Sequence, residues 1–504
     1  MEQGRFAVLA AVTSVVMACT SLSVATVSKA QVPEGDRAAP SDFNGDGYAD
    51  LAIGAPMNGS ADGLVTVIPG SATGLLGTSS SNWDQDTPGI AGTRGKHRFG
   101  TALASDDFNR DGFADLAVGA PSDAGVSPGS GSVTVVYGSS TGLTSAGNQY
   151  WLVGPTEGLP AAGDRFGIAL AAGDFDGDGY PDLAVGEPDP GVVLVLKGSA
   201  AGLSATGMVL ASDQRADSSY GRALAAGDVN ADGLCDLIVG APQWYDAVGA
   251  GAVFVHLGSP TGPSTEPTLV EPADVGISEP GSNLEFGKVM TVGDFDADGF
   301  GDLALGRSDG VPEVMVVPGS ASGPVPGATK TVSQRFPGLP APSAGSSGFG
   351  TALAAGQLSG DAADELVIGV PGQSLQQRTY HGNGMVVVLQ GTAGTGLSLA
   401  GVRVWTRDSP GVPGVARIGE RFGAALAIAN FSGSGDNDLA IGAPGQSVNT
   451  GMAGMGRVSA GGVTLLPGAP TGVTSAASQV WTQGSPGLSG RAAHGEEFGA
   501  ALAP

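Results

Sequence analysis

Aspartates at alternate positions recur through this chain, and they constrain its fold more than any other feature. The clearest copy, GDFDGDGYPDLAVGEP at 173–188, places carboxylates at loop positions 1, 3, 5 and 9 and a glycine at position 6, directly before an apolar run. Carboxylates this close repel one another unless a cation lies between them, and the glycine permits a sharp turn. Hard oxygen ligands in an acidic loop favour Ca²⁺.

The loop occurs seven times, and the first five copies keep an oxygen ligand at every side-chain position. We expect Ca²⁺ to bind the side chains at positions 1, 3, 5 and 9 and the backbone carbonyl at position 7. The expected ligands are Asp42, Asn44, Asp46, Tyr48 and Asp50; Asp107, Asn109, Asp111, Phe113 and Asp115; Asp174, Asp176, Asp178, Tyr180 and Asp182; Asp228, Asn230, Asp232, Leu234 and Asp236; Asp294, Asp296, Asp298, Phe300 and Asp302. An EF-hand is excluded because it needs a bidentate Glu at position 12 and two flanking helices.

The sixth and seventh copies depart from this pattern. In the sixth, Gln357, Ser359 and Glu365 replace three of the Asp residues and Ala362 takes the glycine position, while in the seventh Asp438 is the one charged ligand position. We predict that side-chain hydrogen bonds hold these two turns and that they bind Ca²⁺ weakly or not at all. Asp-Gly and Asn-Gly pairs also form tight turns without metal, but the recurring four-ligand spacing favours about five structural Ca²⁺ sites.

Short strand signals surround each loop. An aromatic-glycine pair precedes every loop except the first: Phe99-Gly100, Phe166-Gly167, Tyr220-Gly221, Phe286-Gly287, Phe349-Gly350 and Phe422-Gly423. A β-branched run ending in Gly-Ser or a similar pair follows each loop, and then a less regular strand, which carries aromatic residues in several copies. Four strands in each repeat of about 65 residues, seven times over, predict an all-β protein, a seven-bladed β-propeller of four-stranded blades.

The two ends of the repeat array are complementary. The first loop lacks its preceding strand, whereas the strand signal at Phe498-Gly499 has no loop after it. In a closed ring the C-terminal strand would complete the first blade and remove the open edge. We therefore predict that the C-terminal strand closes the ring.

The pairing of Phe-Gly with a following Gly-Ala-Pro around a DxDxDGxxD loop resembles the FG-GAP repeat of integrin alpha-subunit propellers and related secreted bacterial proteins. The resemblance extends from Asp42 to Pro504. It implies a seven-bladed propeller with Ca²⁺ in the loops between the first and second strands of its blades. It does not imply one activity, because the repeat occurs in adhesion receptors, as an accessory domain of phospholipases and in bacterial surface proteins.

The N-terminal segment is typical of an export signal. Arg5 precedes an apolar stretch from Phe6 to Met17, and Ser28-Lys29-Ala30 has the small-x-small form of a cleavage site. We expect residues 1–30 to be a signal peptide, 31–41 a linker and 42–504 the propeller. Lipidation at Cys19 is the alternative, which would anchor the protein to a cell surface. No later segment is apolar for long enough to span a bilayer.

The net charge of −26 argues against nucleic acid and anionic membranes as partners. After removal of the signal peptide Cys235 is the one remaining cysteine, so an intrachain disulfide is excluded. Bound metal would then stabilise the fold in place of disulfides.

Candidate catalytic residues are few. The segment 138–142 matches the GxSxG nucleophile pattern, but other copies place Ala72, Ala200 and Pro260 where Ser140 stands, so we interpret it as a turn of the repeat. The four histidines, His97, His256, His381 and His494, are scattered singly, and Cys235 is interpreted as a buried, inert thiol. We therefore expect no catalytic residues and no enzyme activity.

A binding role is favoured instead. The varied connections, 243–249, 372–384 and 445–461, would share the face opposite the calcium loops, and Trp244, Tyr245, Arg378, Tyr380 and His381 are candidate contacts there. We expect a secreted monomer that acts as a non-catalytic binding or adhesion module for a protein or cell-surface polymer. A hydrolase or hydrolase accessory domain of the phospholipase kind, and a glycan-binding lectin, are the alternatives.

Overall fold

Seven four-stranded antiparallel sheets make up the body of the protein in a computed structural model. The structure describes residues 41–92, 95–123, 129–152, 165–189, 191–211, 218–244, 250–278, 284–307, 311–343, 347–374, 382–449, 457–488 and 494–504. Each sheet is one blade. The fold class, an all-β propeller with seven four-stranded blades, is therefore confirmed.

The strands follow one another along the chain, blade by blade. Blade 1 begins with β1 (Leu51–Ala55), β2 (Leu64–Ile68) and β3 (Ser81–Trp83). Blade 2 contains β4 (Ala102–Asp106), β5 (Asp115–Ala120), β6 (Ser132–Tyr137) and β7 (Thr144–Trp151). Blade 3 contains β8 (Leu170–Gly173), β9 (Asp182–Glu187), β10 (Val192–Lys197) and β11 (Ser204–Ala211). Blade 4 contains β12 (Ala223–Gly227), β13 (Asp236–Ala241), β14 (Ala252–His256) and β15 (Thr268–Val270).

The remaining blades have the same order. Blade 5 contains β16 (Met290–Gly293), β17 (Asp302–Gly306), β18 (Glu313–Val317) and β19 (Lys330–Ser333). Blade 6 contains β20 (Ala352–Gly356), β21 (Glu365–Val370), β22 (Met385–Gln390) and β23 (Ser398–Trp405). Blade 7 contains β24 (Ala425–Ala429), β25 (Asp438–Gly442), β28 (Val463–Leu466) and β29 (Gln479–Trp481), with a separate hairpin of β26 (Ser447–Asn449) and β27 (Arg457–Ser459). Short helical turns occur at Asn58–Ala61, Gly77–Ser79 and Pro326–Ala328.

The C-terminal strand closes the ring. Strand β30 (Ala501–Ala503) pairs antiparallel with β1, with Leu502 opposite Ile53, and so becomes the innermost strand of blade 1. The innermost strands contact one another in cyclic order, β4, β8, β12, β16, β20, β24 and β30, and β30 contacts β4 again. The predicted closure by the C-terminal strand is confirmed.

The hydrophobic core lies between the blades. Seven clusters of buried apolar side chains each combine residues from two neighbouring blades; one joins Val65 and Val67 of blade 1 to Leu116 and Val118 of blade 2. The second strand of every blade is buried along its length. Because such a strand packs on both faces, its sequence is continuously apolar rather than alternating.

The glycines of the Gly-Ala-Pro and Phe-Gly signals touch across the blade interfaces. A Cβ at Gly240 would lie 1.8 Å from the carbonyl oxygen of Gly287 in the next blade, which leaves no room for any side chain. The same approach occurs at all seven interfaces, with corresponding distances of 1.8–2.2 Å. The paired glycines are therefore required by backbone contact between blades.

The turns lie on two faces of the ring. The acidic loops and the turns between third and fourth strands share one face, which we call the calcium-loop face; Gly70 of one such turn donates its N–H to Asp50 of the acidic loop beside it. The described ends of the predicted binding connections lie on the opposite face. There the 445–461 connection contains the β26–β27 hairpin, and Trp244 is a buried residue that packs edge-on against Phe254 with ring centroids 5.1 Å apart. Tyr245, Arg378, Tyr380 and His381 lie outside the described residues.

Two further sequence predictions concern the N-terminal region and the membrane. Residues 1–40, with the predicted signal peptide, most of the linker and Cys19, lie outside the described residues, so these boundaries stay predictions. Among the residues that the structure does describe, no helix has the length and apolarity needed to cross a bilayer.

Candidate metal-binding loops

The carboxylate at position 1 organises each of the five acidic loops. In the second loop, Asp107 accepts hydrogen bonds from the backbone N–H groups of Asp111 at 3.0 Å and Gly112 at 2.9 Å. Asp42, Asp228 and Asp294 accept the corresponding bonds, whereas Asp174 accepts the N–H groups of Gly177 at position 4 and Gly179 at position 6. An Asp that bonds backbone groups ahead of it folds the chain back on itself, as in an Asx turn. The sequence signal thus forms a turn that encloses its own first ligand.

The side chains at positions 3 and 5 complete the inner part of the loop. The position 5 Asp accepts a hydrogen bond from the N–H of residue 7 in all five loops, at 2.8–3.1 Å. The position 3 side chain lies close to position 5, as where the Asn109 amide donates to Asp111 at 3.1 Å. These bonds direct several oxygens into one small volume.

The position 9 carboxylate is buried and joins two turns. Asp115 accepts the N–H of Phe108 at 3.0 Å within its own loop and that of Gly138 at 2.9 Å in the neighbouring turn of the same blade. All five position 9 residues make the second contact, at 2.7–3.0 Å. Removal of this side chain would leave buried N–H groups unpaired, which costs about 1–3 kcal/mol each.

The backbone conformation is shared as well. Positions 4 and 6 have left-handed φ angles in the five acidic loops, 71° and 92° for Gly177 and Gly179 in the third and 55° and 91° for Arg110 and Gly112 in the second. The fully left-handed turn at position 6 explains its glycine, because other residues are strained there.

Two loops bring three carboxylates together. Oxygens of Asp174, Asp176 and Asp178 all lie within 4.8 Å of one another, and so do those of the corresponding residues Asp294, Asp296 and Asp298. In the fifth loop, Asp296 Oδ1 is buried without a hydrogen-bond donor among the described residues. Clustered anionic oxygens, one of them lacking a donor, suit a hard divalent cation such as Ca²⁺. The residues present therefore fit the ion expected from the sequence.

Burial disfavours the ionised form of the position 9 carboxyl groups when no cation is bound. Desolvation, with a smaller contribution from the neighbouring loop carboxylates, raises the pKa of Asp50 to about 7, Asp115 to about 8, Asp182 to about 7, and Asp236 and Asp302 to about 6. The backbone hydrogen bonds oppose these shifts and are too weak to cancel them. A cation in the loop would favour the ionised forms.

A lysine contacts the carboxylates of the third loop. The Lys197 ammonium at the end of β10 donates a hydrogen bond to Asp176 Oδ2 and lies 3.1 Å from Asp178 Oδ2. The bond to Asp176, larger than the opposing effect of burial, raises the pKa of Lys197 above its usual range. Sequence reasoning missed this contact, since Lys197 lies 19 residues beyond Asp178 and no repeat pattern marks it.

The sixth loop closes in a different way. Ser359 Oγ donates to Glu365 Oε1 at 2.6 Å, and the N–H of Leu358 donates to Glu365 Oε2 at 2.6 Å. Neither Gly360 nor Ala362 has the left-handed φ of the acidic loops. The longer Glu365 side chain thus reaches across the loop from position 9 and accepts hydrogen bonds there, as expected for a turn held by side-chain hydrogen bonds.

The seventh loop keeps the backbone and loses the carboxylates. Gly433 and Gly435 have left-handed φ angles of 61° and 90°, as in the acidic loops. Ser432 Oγ donates to Asp438 Oδ1 at 3.0 Å, but Asp438 Oδ2 and Asn430 Oδ1 are buried without a donor among the described residues. Side-chain hydrogen bonds therefore hold this turn less completely than the sixth.

Backbone hydrogen bonds link neighbouring loops around the ring. The N–H at position 8 donates to the position 1 carbonyl of the preceding blade at five interfaces, for example Ala114 to Asp42 at 3.0 Å and Gly301 to Asp228 at 2.9 Å. In the third loop Pro181 stands at position 8 and has no N–H to donate. At these five interfaces a loop is thus attached to its neighbour at the neighbour's position 1 residue.

The other sequence candidates lie in structural positions. Ser140 is exposed in a turn whose preceding residue, Ser139, donates to the Gly142 carbonyl at 2.6 Å, and the same bond recurs at Ser71, Ser199, Ser259 and Ser320. Ser140 therefore belongs to a turn of the repeat.

The described histidines and the cysteine do not assemble a nucleophilic site among the described residues. His256 is buried, with Nδ1 donating to the Ser264 carbonyl and Nε2 accepting from the Tyr220 hydroxyl. His97 is buried beside Gln85, and His494 is exposed, while His381 lies outside the described residues. Burial raises the pKa of Cys235 to about 12, which keeps the thiol protonated and unreactive.

Comparison with known proteins identifies the repeat. Residues 35–68, 99–136, 166–204 and 220–256 match the FG-GAP repeat family. Phosphatidylinositol-glycan-specific phospholipase D of Bos taurus is 41% identical over 160 residues, covering 29% of this chain and 19% of that protein. Integrin alpha-7 of Rattus norvegicus is 37% identical over 150 residues, covering 29% of this chain and 12% of that protein, and integrin alpha-6 of Homo sapiens is 33% identical over 156 residues, covering 30% and 12%. The aligned part spans less than a fifth of each relative.

Proposed function

We propose, from the premise that this chain is an FG-GAP repeat protein with an integrin-like propeller, that it is an exported binding or adhesion module whose five acidic loops bind Ca²⁺. The observation that carries the calcium proposal is the shared geometry of these loops: in each, hydrogen bonds from the loop backbone direct the carboxylates at positions 1 and 5 inward, and the position 9 carboxylate is buried beneath them. The ligands are the side chains at positions 1, 3, 5 and 9 and the carbonyl at position 7, as named from the sequence.

The metal's proposed role is structural. Ca²⁺ would supply positive charge to a set of carboxylates that otherwise repel one another. The protein's side chains position the oxygens, and Asp115 and its counterparts attach the loop to the next turn. Extracellular modules of this kind bind Ca²⁺ with Kd of about 10⁻⁴ to 10⁻³ M, which suits an exported protein.

The binding role is inferred from the architecture. A closed ring with seven inter-blade cores is a rigid support, and the alternation of the strands would place its varied connections on the face opposite the calcium loops. Because integrins are among the similar proteins, we propose a protein or cell-surface polymer as the partner, and we propose a monomer as the working form. The export signal expected at residues 1–30 supports a secreted or cell-surface location.

A hydrolase role is the second candidate, because phospholipases D are among the similar proteins. The similarity covers under a third of this chain and under a fifth of those proteins, and Ser140 of the GxSxG match at 138–142 lies in a repeat turn. The binding role is therefore favoured, and we propose no catalytic residues.

Metal analysis tests the calcium proposal directly. Purified mature protein at equilibrium in dialysis against several millimolar Ca²⁺ should hold about five Ca²⁺ per chain above the buffer concentration by elemental analysis, and EDTA should remove them. A matched variant with Asp107→Asn, Asp111→Asn and Asp115→Asn should retain one ion fewer. A chain that contains no metal at any Ca²⁺ concentration would reject the proposal.

Capture from the cell envelope and culture medium tests the binding role. Immobilised protein should retain a defined protein or polymer in Ca²⁺ and release it in EDTA, and a scrambled 447–459 hairpin should retain less. Hydrolysis of a phospholipid or glycosyl-phosphatidylinositol substrate by the pure protein would favour the second candidate instead.

A further inference from the structure

Position 3 divides the five acidic loops into two kinds. The first, second and fourth loops carry an amide there, Asn44, Asn109 and Asn230, whereas the third and fifth carry a carboxylate, Asp176 and Asp296. The second kind therefore has one more negative charge in the same small turn. An additional charge of this kind raises the electrostatic cost of the metal-free loop and its attraction for cations.

A lysine accompanies each loop of the second kind. Lys197 contacts Asp176 and Asp178 directly, and Lys330, the first residue of β19, lines a cavity of about 380 Å³ together with Asp296 and Asp302. The whole chain contains five lysines, so this pairing uses two of them. The loops with an Asn at position 3 have no lysine contact among the described residues.

Lys197 is not a regular feature of the repeat. The residue directly before the turn glycine is uncharged in the other six blades: Pro69, Tyr137, Leu257, Pro318, Gln390 and Pro467. Within the described part of the chain, the Lys197 ammonium bonds carboxylates and no other group, and 39% of its side chain is exposed. Its one evident partner is thus the acidic loop.

Lys330 is held by a hydrogen bond to the neighbouring blade and does not contact the carboxylates of its loop directly. Its ammonium donates to the Thr395 carbonyl of the next blade at 2.9 Å. Arg403, at the same place in blade 6, donates likewise to the carbonyls of Thr471 and Val473. Part of the role of Lys330 is therefore to join two blades.

We propose that Lys197 is an internal counter-ion of the third loop, which neutralises the additional carboxylate of Asp176 in the calcium-free protein and leaves it when Ca²⁺ binds. This inference rests on the proposed function. Four carboxylates with one ammonium carry the same net charge as three carboxylates with one amide, so the third loop matches the loops that have Asn at position 3. Lys330 has a weaker effect of the same sign on the fifth loop.

The geometry requires an exchange of cations. Ca²⁺ takes carboxylate oxygens at about 2.3–2.6 Å, and it would need the same Asp176 and Asp178 oxygens that the ammonium now contacts. Because Lys197 is a flexible, partly exposed side chain at the end of β10, it can move into solvent without a change in the strand. The third loop is therefore occupied by one positive charge or the other.

A charge-balance series of variants tests the proposal. Binding of Tb³⁺ and its competition by Ca²⁺ would be followed by luminescence in a Tyr48→Phe background, so that Tyr180 of the third loop is the one tyrosine left at position 7. Lys197→Met should tighten binding at this loop about three- to tenfold, and Asp176→Asn should weaken it by a similar factor. The double variant should return to within about twofold of the starting protein, because the two charges cancel.

The matched control is Lys288→Met. It removes the same charge from the opposite face, where Lys288 pairs with Glu285 at 2.7 Å, and should leave the affinity of the third loop unchanged. Amine labelling with mass spectrometry gives an independent readout: Ca²⁺ should increase the labelling rate of Lys197 and not that of Lys288.

The outcomes separate this proposal from the one on which it rests. Calcium binding by the unmodified protein, combined with equal affinity in Lys197→Met or with unchanged Lys197 labelling, overturns the counter-ion and leaves the calcium sites intact. Absence of metal binding at every loop rejects the calcium sites and the counter-ion together. Tighter binding in Lys197→Met and recovery in the double variant establish the exchange.

Discussion

The third and sixth loops occupy the same place in their blades, yet they are closed by different interactions. In the third, three clustered carboxylates surround a space for a cation, and Lys197 reaches into it. In the sixth, Ser359 and Glu365 form hydrogen bonds across the turn and no such cluster is present among the described residues. The same position in a propeller can thus be stabilised by a cation or by a side chain of the right length.

The seventh loop has the backbone conformation of the acidic loops without their carboxylates. It has the left-handed backbone of the acidic loops but Asn430, Ser432 and Ser434 in place of their Asp residues. Turn shape therefore does not depend on the carboxylates, since glycines at positions 4 and 6 suffice for it. The turn forms without carboxylates, and where they are present their mutual repulsion favours the binding of a cation.

Removal of calcium should produce the largest loss of stability, and it should affect the first five loops and not the sixth. EDTA should lower the Tm by about 5 °C, because five sites with Kd of about 10⁻⁴ to 10⁻³ M each contribute about 0.4–1.4 kcal/mol at 1 mM Ca²⁺. Hydrogen exchange should rise in the first five loops and stay unchanged in the sixth, whose hydrogen bonds need no metal. Uniform exchange in all seven loops would contradict the division.

Single substitutions at position 1 should show the same contrast. Asp107→Ala should destabilise the protein by about 2–4 kcal/mol in Ca²⁺, through loss of a ligand and of two backbone hydrogen bonds, and by about 1–2 kcal/mol in EDTA. The matched variant Asn430→Ala should cost less than about 1 kcal/mol and be insensitive to EDTA. Urea unfolding in both conditions measures the four values, and equal calcium dependence of the two variants would remove the distinction.

Grafting of carboxylates should convert the seventh loop more readily than the sixth. Asn430→Asp, Ser432→Asp and Ser434→Asp together should raise the calcium content by one ion per chain, because the backbone already has the acidic-loop conformation. Gln357→Asp, Ser359→Asp and Glu365→Asp should not do so until Ala362→Gly restores the left-handed position 6. Calorimetric titration counts the sites, and calcium binding by the sixth loop with Ala362 retained would show that its backbone is not the obstacle.

The dependence of stability on pH should be the smallest effect, and stability should change with pH in opposite directions in the metal-free and the calcium-bound protein. The position 9 pKa values, raised to about 6–8 by burial, lie above the unfolded value near 4, so the metal-free fold favours protonated carboxyls. Their stabilising contribution is complete below the unfolded pKa and is lost as pH rises through the folded values. The increase in Tm on adding Ca²⁺ should therefore grow by a few degrees from pH 5 to pH 8.

A variant isolates that titration. Asp115→Asn removes the ionisable group with the largest shift; its single amide oxygen can accept from only one of the N–H groups of Phe108 and Gly138, so a pH-independent loss of stability accompanies the change. It should flatten the pH dependence of the metal-free protein, as measured by thermal unfolding across that range. A calcium response that is independent of pH in the unmodified protein would show that position 9 does not titrate as described.

Much of the fold followed from local signals in the sequence. The acidic loops, the aromatic-glycine pairs and the β-branched runs recur in a fixed order, so the number of blades and the four strands of each could be predicted. The unmatched Phe498-Gly499 signal at the end predicted ring closure, because an open edge would otherwise remain. The candidate ligands could be predicted equally well, since the ligands of each loop all lie within nine consecutive residues.

Contacts between distant parts of the chain could not be predicted in the same way. Nothing local to Asp115 indicates that Gly138 will share its carboxylate, and Trp244, a candidate for the binding face, is buried against Phe254. The different backbone of the sixth loop was likewise hidden, because a composition of Gln, Ser and Glu does not specify φ angles.

The sequence by itself determined the repeat, its strands and the chemistry of its loops, since each depends on neighbours within a few residues. The tertiary structure alone decided that Lys197 contacts Asp176, that position 8 of one loop bonds position 1 of the preceding one, and that the paired glycines touch between blades. These contacts arise because closing the ring brings together residues that are far apart in the chain, at distances set by backbone packing rather than by any local pattern.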